Sequence, residues 1–208
     1  MTQKSMVLFL LILFATPALA GSWKDCTSKN PDRGIAGCTK IIDAGKGTKQ
    51  NLAIAYRNRG TAYAKKGEYD KALVDLSAAI KRNNKFADAY YDRGLTYYNM
   101  HDAKLAIADF TNAIAFKPKY AFAYNNRGIA YIQLGDFDLA IADFDKSAAL
   151  DPRNAPAYFN RADAFEKKGE WKRATIDWQR AISLFPAASE WNVKARDRLA
   201  KAKANVAN

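Results

Sequence analysis

The chain of 208 residues holds one histidine and two cysteines, too few soft ligands to assemble a multi-ligand metal site. Eleven glycines and six prolines exclude a collagen-like chain, and two cysteines exclude a disulfide-dense scaffold. The apolar run from Met6 to Phe14 is nine residues, so a polytopic membrane protein is excluded as well. His101 stands alone, which removes any Ser-His-Asp or Cys-His arrangement. No G-x-x-x-x-G-K-[ST], H-E-x-x-H or C-x-x-C occurs. Carboxylates are plentiful, but no acid stands out as a hydrolase residue, so the chain reads as a non-enzyme without cofactor. What is present is 49% apolar and 26% charged residues with a net charge of +12. That composition makes a real core and argues against disorder. The length suits one domain or one short repeat array.

Residues 1–20 read as an address. Lys4 precedes the apolar run, and Ala18-Leu19-Ala20 gives a small-x-small end. This is the pattern of a secretory signal peptide, cleaved after Ala20. Counted to Ala20 the segment is still shorter than the ~20 residues of a membrane span. An uncleaved anchor is the alternative; a lipoprotein is disfavoured because Gly21, not Cys, follows. Cleavage leaves 188 of the 208 residues and removes only Lys4 among the charged ones, so +12 becomes +11. Periplasmic or secreted localisation follows as an expectation, with membrane association at most peripheral. In an oxidising compartment Cys26 and Cys38 are a disulfide candidate. Free buried thiols and a redox pair are the alternatives. A loop this short stabilises by roughly 3 kcal/mol in the chain-entropy model.

The dominant feature is self-similarity at a step of 34. Tyr56-Arg57-Asn58-Arg59-Gly60 recurs as Tyr90 to Gly94, Tyr124 to Gly128 and Tyr158 to Ala162. Ala72, Ala106, Ala140 and Ala174 keep the same step, as do Leu76, Phe110, Phe144 and Trp178. Pro118, Pro152 and Pro186 close three units, with Asn84 in that place in the first. Tyr56, Gly60 and Tyr63 lie on one helical stripe, and Ala72, Leu76, Ala79 and Ile80 on another. Gly67 breaks the pattern between them, so each unit is two antiparallel helices and a turn. Gly60, Gly94 and Gly128 sit inside a helix, where glycine costs about 1 kcal/mol against alanine. Close helix approach, with an Ala72-type residue opposite, is the simplest reason.

These residues resemble the tetratricopeptide repeat family over about 136 residues in four units. The resemblance implies an all-α, right-handed α-solenoid with units 51–84, 85–118, 119–152 and 153–186. Two departures run through every unit. The first aromatic is Tyr rather than Trp, and Arg59, Arg93, Arg127 and Arg161 stand where the family often has Leu. His101 replaces the turn glycine of the second unit, and Ser147 a core alanine of the third.

Asp75, Asp109, Asp143 and Asp177 also recur at 34. With the four arginines they read as a structural ladder, closed within a unit or from Asp75 to Arg93 of the next; four anion sites are the alternative. Ends of such stacks are atypical because they cover bare apolar faces. Residues 21–50 form an N-terminal cap in which Pro31 to Ile42 resembles a second helix without its first. Cys38 there matches Leu76 and faces inward, Cys26 staples the preceding segment over it, and Asp43 to Gln50 is a loop. Residues 187–208 form a solvating helix capped by Ser189. Its inner stripe is Trp191, Ala195, Leu199 and Ala202, with Lys194, Arg196, Arg198, Lys201 and Lys203 as a solvated basic outer face.

The resemblance places the first helix of each unit on a concave face that takes extended peptides or helices. Partner-binding candidates are the positions rotated off the core stripe. Unit one offers Arg57, Asn58, Thr61 and Ala64, and unit two Tyr91, Asp92, Leu95 and Tyr98. Unit three offers Asn125, Asn126, Ile129 and Ile132, and unit four Phe159, Asn160, Asp163 and Glu166. Aromatics supply anchors, and the line Asn58, Asp92, Asn126 and Asn160 suits a peptide backbone; packing against neighbouring helices is the alternative. The Lys and Arg set that holds a C-terminal carboxylate in some members of the family is missing. The function that follows is a non-catalytic scaffold of the cell envelope with another protein or peptide as partner. A basic structural protein adhering to an anionic envelope surface is the alternative, and export argues against nucleic acid.

Overall fold

The computed structural model describes residues 17–207, and among these eleven helices follow one another without a strand. The expected leader lies outside the described residues up to position 16; its last four residues form the first turn of α1. Helices α1 (Pro17–Cys26) and α2 (Pro31–Ala44) make the N-terminal cap. Four helix pairs follow: α3 (Lys49–Lys65) with α4 (Tyr69–Arg82), α5 (Ala87–Asn99) with α6 (Ala103–Phe116), α7 (Ala121–Leu134) with α8 (Phe137–Leu150), and α9 (Ala155–Lys167) with α10 (Trp171–Leu184). Helix α11 (Glu190–Ala207) closes the array. Each helix packs chiefly on its neighbour in sequence, giving an α-solenoid. The turns inside the units are of one kind. Gly67, Gly135 and Gly169 hold φ of 76°, 84° and 75°, and His101 takes the same left-handed place at 62°.

Every pair is centred on one fully buried large side chain: Leu76, Phe110, Phe144 and Trp178. Alanines one turn to either side are buried too: Ala72 and Ala79 around Leu76, Ala106 and Ala113 around Phe110. The helix glycines face the large side chain rather than the alanine methyl. A Cβ on Gly60 would lie 2.9 Å from Leu76 Cγ, one on Gly94 2.9 Å from the Phe110 ring, and one on Gly128 2.7 Å from the Phe144 ring. The Ala72 and Ala106 contributions are their backbone carbonyls, at 3.1 Å and 3.3 Å. Ser147 is fully buried but satisfied: its Oγ donates to the Ala121 carbonyl at 2.9 Å and accepts from Asn154 Nδ2 at 3.1 Å.

The arginines and aspartates meet within each unit. Arg59 grips Asp75 through Nε at 2.7 Å and Nη2 at 2.9 Å, and the other three pairs repeat the fork. No bond runs from Asp75 to Arg93 among the described residues. Each unit is tied to its predecessor by the third nitrogen instead. Nη1 of Arg59, Arg93, Arg127 and Arg161 donates to Thr39, Ser77, Thr111 and Asp145 in turn. Thr39 follows Cys38 as Ser77 follows Leu76, so α2 serves the first unit as the second helix of a repeat would.

Asn30 caps α2, accepting from Arg33 N at 3.0 Å, with Pro31 in its first turn. A disulfide joins Cys26 to Cys38 and pins α1 on α2. Gly37 lies against the backbone of Asp25 and Cys26 with no space for a Cβ. At the other end Ser189 accepts from Asn192 N at 3.2 Å and caps α11. Ala195 and Ala202 are fully buried, but Trp191 is 50% exposed. Its inner place is taken by Asn192, whose Nδ2 donates to the carbonyls of Ile182 and Phe185 at the end of α10.

Candidate binding face

Helices α3, α5, α7 and α9 carry the candidate residues, and the solenoid brings them onto one side in chain order. Much of that side is bonded to itself. Arg57 Nε pairs with Asp92 at 2.6 Å, and Thr61 Oγ1 lies 3.2 Å from the same carboxylate. Asp92 is buried, and burial pushes its carboxyl above the usual range against the pull of Arg57. Asn58 makes a long contact, Nδ2 to Cys26 Sγ at 3.9 Å. Tyr91, Leu95 and Tyr98 pack on Phe110 and its neighbours. Asn126 Nδ2 donates to the Tyr91 hydroxyl at 2.7 Å, and burial raises that phenol to about 12. Asn125 is buried; it donates to Asn126 and accepts from Asn160 Nδ2 at 3.0 Å. The amides therefore link units two, three and four into one hydrogen-bonded floor. Asn125, Asn126 and Asn160 thus bond to one another and to Tyr91 while also lining the face.

Unit four is covered at its far end. Asp163 and the buried Glu166 receive Arg198 and Lys201 from α11, with Arg198 2.8 Å and Lys201 2.6 Å from Glu166 Oε1. Lys194 pairs with Glu190 at 2.6 Å. The cations of α11 lie on its solvent side, Lys194, Arg196, Lys201 and Lys203 exposed and Arg198 half-buried, and among the described residues three of the five are also in ion pairs, because acids of α9 and of its own first turn lie within their reach.

One part of the face stays open. Ile129 of α7 and Phe159 of α9 form the floor of a recess of about 360 Å³, with Asn125, Asn126 and Asn160 along one side. Phe122, Asn154, Pro156, Phe185 and Trp191 raise its walls. No charged residue lines it. Phe159 is held edge-on by the buried Trp178 at 4.8 Å and by Trp191 at 5.4 Å. Phe122 is 58% exposed, so the wall presents apolar surface to an incoming group. The wall residues were not among the sequence candidates, although Phe122 had a signal. It precedes Asn126 by four and Ile129 by seven, which extends the same helical stripe one turn earlier.

Ile132 sits deeper, packed on the cluster around Phe144 and Trp178. At the opposite end, Asn58, Thr61, Lys29 and Lys65 line a smaller polar hollow of about 200 Å³ against the cap. Among the described residues no group of three or more His, Cys, Asp or Glu could hold a metal ion, and no helix is long and apolar enough to cross a membrane.

Consecutive helix pairs stacked in this way define an α-solenoid of helix-turn-helix repeats. The chain belongs to the tetratricopeptide repeat family: models described as Tetratricopeptide repeat match residues 87–120, 121–154 and 155–188, and one described as TPR repeat matches 60–100. Three of these windows begin at the first residue of α5, α7 and α9. Such repeats are protein-interaction modules and generally non-catalytic. No curated protein matches the chain. Among solved structures it is similar to MamA, at 24% identity and a TM-score of 0.69, covering 86% of this chain and 96% of that one. It is similar to YrrB, described as a TPR protein with an unusual peptide-binding site, at 20% identity and 0.69, over 88% and 92%. The first TPR of Spaghetti (RPAP3), solved with the HSP90 peptide SRMEEVD, matches at 23% and 0.56, over 57% and 94%. At these identities the likeness concerns the fold.

Proposed function

We propose that this protein is a non-catalytic scaffold of the cell envelope that holds a partner peptide or helix by one large apolar side chain in the recess between α7, α9 and α11. The open recess carries the reading. Its lining is uncharged and includes Phe122, Phe159, Phe185 and Trp191, and its amides and the Phe159 ring are already held by hydrogen bonds and ring contacts, so little ordering cost falls on binding. The peptide-binding site of YrrB and the peptide bound by the first TPR of Spaghetti support a peptide as the kind of partner. The leader pattern of residues 1–20 and the Cys26–Cys38 disulfide support an exported, oxidising location.

The test uses the exposed wall rather than Phe159, whose ring packs on the buried Trp178. Phe122→Ala with Trp191→Ala should reduce capture of a partner from the protein's own envelope at least about tenfold, or about 1.4 kcal/mol, with little change in Tm. Unchanged capture removes the recess from the function.

A second reading has its own observation. Lys24, Lys29, Lys40, Lys46 and Lys49 are exposed in and beside the cap, and none makes an ion pair among the described residues. We infer that if the chain adheres to an anionic envelope surface, the cap is the adhering end rather than α11. Binding to vesicles with anionic lipid should then fall steeply with salt, and replacing these lysines by glutamine should abolish it. Salt-independent adhesion excludes it.

A further inference from the structure

Glu166 has 6% of its side chain exposed, and its charge is met entirely from another helix. Oε1 takes both Arg198 and Lys201, while Oε2 has no partner. Among the described residues the other two buried side-chain atoms without partners, Trp178 Nε1 and Asn192 Oδ1, belong to α10 and α11. The apolar seam there is thin on the α11 side: Ala195 and Ala202 are fully buried, and Leu199 partly. Buried methyl groups stabilise little beside a buried aromatic ring. At its first turn α11 is held by the Asn192 amide on α10 and by the Trp191 ring; farther along it is held by Arg198 on Glu166 and Asp163 and by Lys201 on Glu166, cations that stand 43% and 56% in solvent. The same helix supplies Trp191, a wall of the recess.

We propose that Glu166, Arg198 and Lys201 form an ionic latch that positions α11, and through it Trp191, as a movable wall of the recess. With the latch shut, Trp191 stands 5.4 Å from Phe159 and the recess exists. With the cations removed or screened, a buried carboxylate has no counter-charge, and the least costly escape is for α11 to lift and let water reach it. The recess then loses a wall, so binding of an uncharged apolar group becomes salt-dependent. The latch needs no ligand; its consequence for binding rests on the docking reading above.

Hydrogen exchange on the full chain tests it. Arg198→Gln with Lys201→Gln should speed exchange across α11 at least about tenfold, about 1.4 kcal/mol of opening, and leave α3 to α6 unchanged. Molar salt, which shortens the screening length to ~3 Å, should do the same to the unaltered chain. Adding Glu166→Gln to the double variant should restore protection, because a neutral amide needs no counter-charge. Unchanged exchange in the double variant overturns the latch. Failure of Glu166→Gln to restore protection overturns it too, since lost packing of the long side chains then accounts for the effect. If α11 opens but capture from an envelope extract is unchanged, the coupling to the recess is overturned and the latch stands.

Discussion

Arg127 lies over the ring of Tyr124, 5.7 Å from its centroid, while its guanidinium forks onto Asp143 at 2.7 Å through both Nε and Nη2. The same stacking recurs as Arg59 on Tyr56, Arg93 on Tyr90 and Arg161 on Tyr158. The two departures from the family pattern, Tyr for Trp and Arg for Leu, are thus one device: the ring seats the cation that the buried aspartate requires.

Replacing Arg127 by leucine brings back the residue common in the family but strands Asp143, whose side chain is 8% exposed. The expected loss is on the order of 3–5 kcal/mol in urea unfolding, and adding Asp143→Leu should recover most of it. Burial already raises the Asp143 carboxyl, and losing Arg127 raises it further. A raised carboxyl favours the folded state below its unfolded value, and that contribution is lost as pH rises through the folded value. The deficit of Arg127→Leu should therefore shrink in acid and be full at neutral pH. A pH-independent deficit contradicts this.

Gly128→Ala tests the close approach of α7 to α8. Three atoms of the Phe144 ring lie 2.7, 2.9 and 3.0 Å from the new methyl group. Overpacking costs about 1–3 kcal/mol, more than the roughly 1 kcal/mol of helix propensity gained. Thermal melting should fall, and the penalty of Gly128→Ala should be smaller in a Phe144→Leu background, where the ring atoms that meet the new methyl group are gone. A Gly128→Ala protein with raised Tm refutes the packing account.

His101→Gly should act in the opposite direction. A non-glycine residue at φ 62° carries a left-handed penalty of about 1 kcal/mol, and Gly67, Gly135 and Gly169 show what the turn accepts. A rise in unfolding free energy of up to about 1 kcal/mol is expected. A fall would assign His101 a stabilising contact.

Reduction of the disulfide, or Cys26→Ser with Cys38→Ser, should weaken the cap by roughly 3 kcal/mol. Because solenoid units contact only their neighbours, exchange protection should drop in α1 to α3 and stay unaltered in α7 to α10. A uniform drop along the chain would show one cooperative unit instead.

The solenoid and its buried residues were legible in the sequence because a 34-residue step repeats every contact that a unit makes with itself: Gly60 with Leu76, Arg59 with Asp75. The recess was only half legible. Its floor, Ile129 and Phe159, lies at repeated phases, but its walls are breaks in the repeat. Phe122 and Pro156 stand where Ile54 and Asp88 stand in earlier units, and Phe185 and Trp191 belong to the end of the array. Trp191 was misplaced because it and Asn192 lead equally well into Ala195, Leu199 and Ala202. Exposed carbonyls at the end of α10 decide for the amide, and no spacing in the sequence displays them. The fate of Arg198 and Lys201 was hidden likewise, since their acids lie 32 and 35 residues away on another helix.

Each arginine of the ladder reaches backward with Nη1, toward a helix made earlier in synthesis, and never forward. The array consequently has a polarity. A unit that docks on the preceding pair finds its acceptor already in place, so the stack can grow one pair at a time from the cap. Shortening the protein from its C-terminal side leaves every remaining rung intact, whereas deleting the cap deprives Arg59 of Thr39 at the outset.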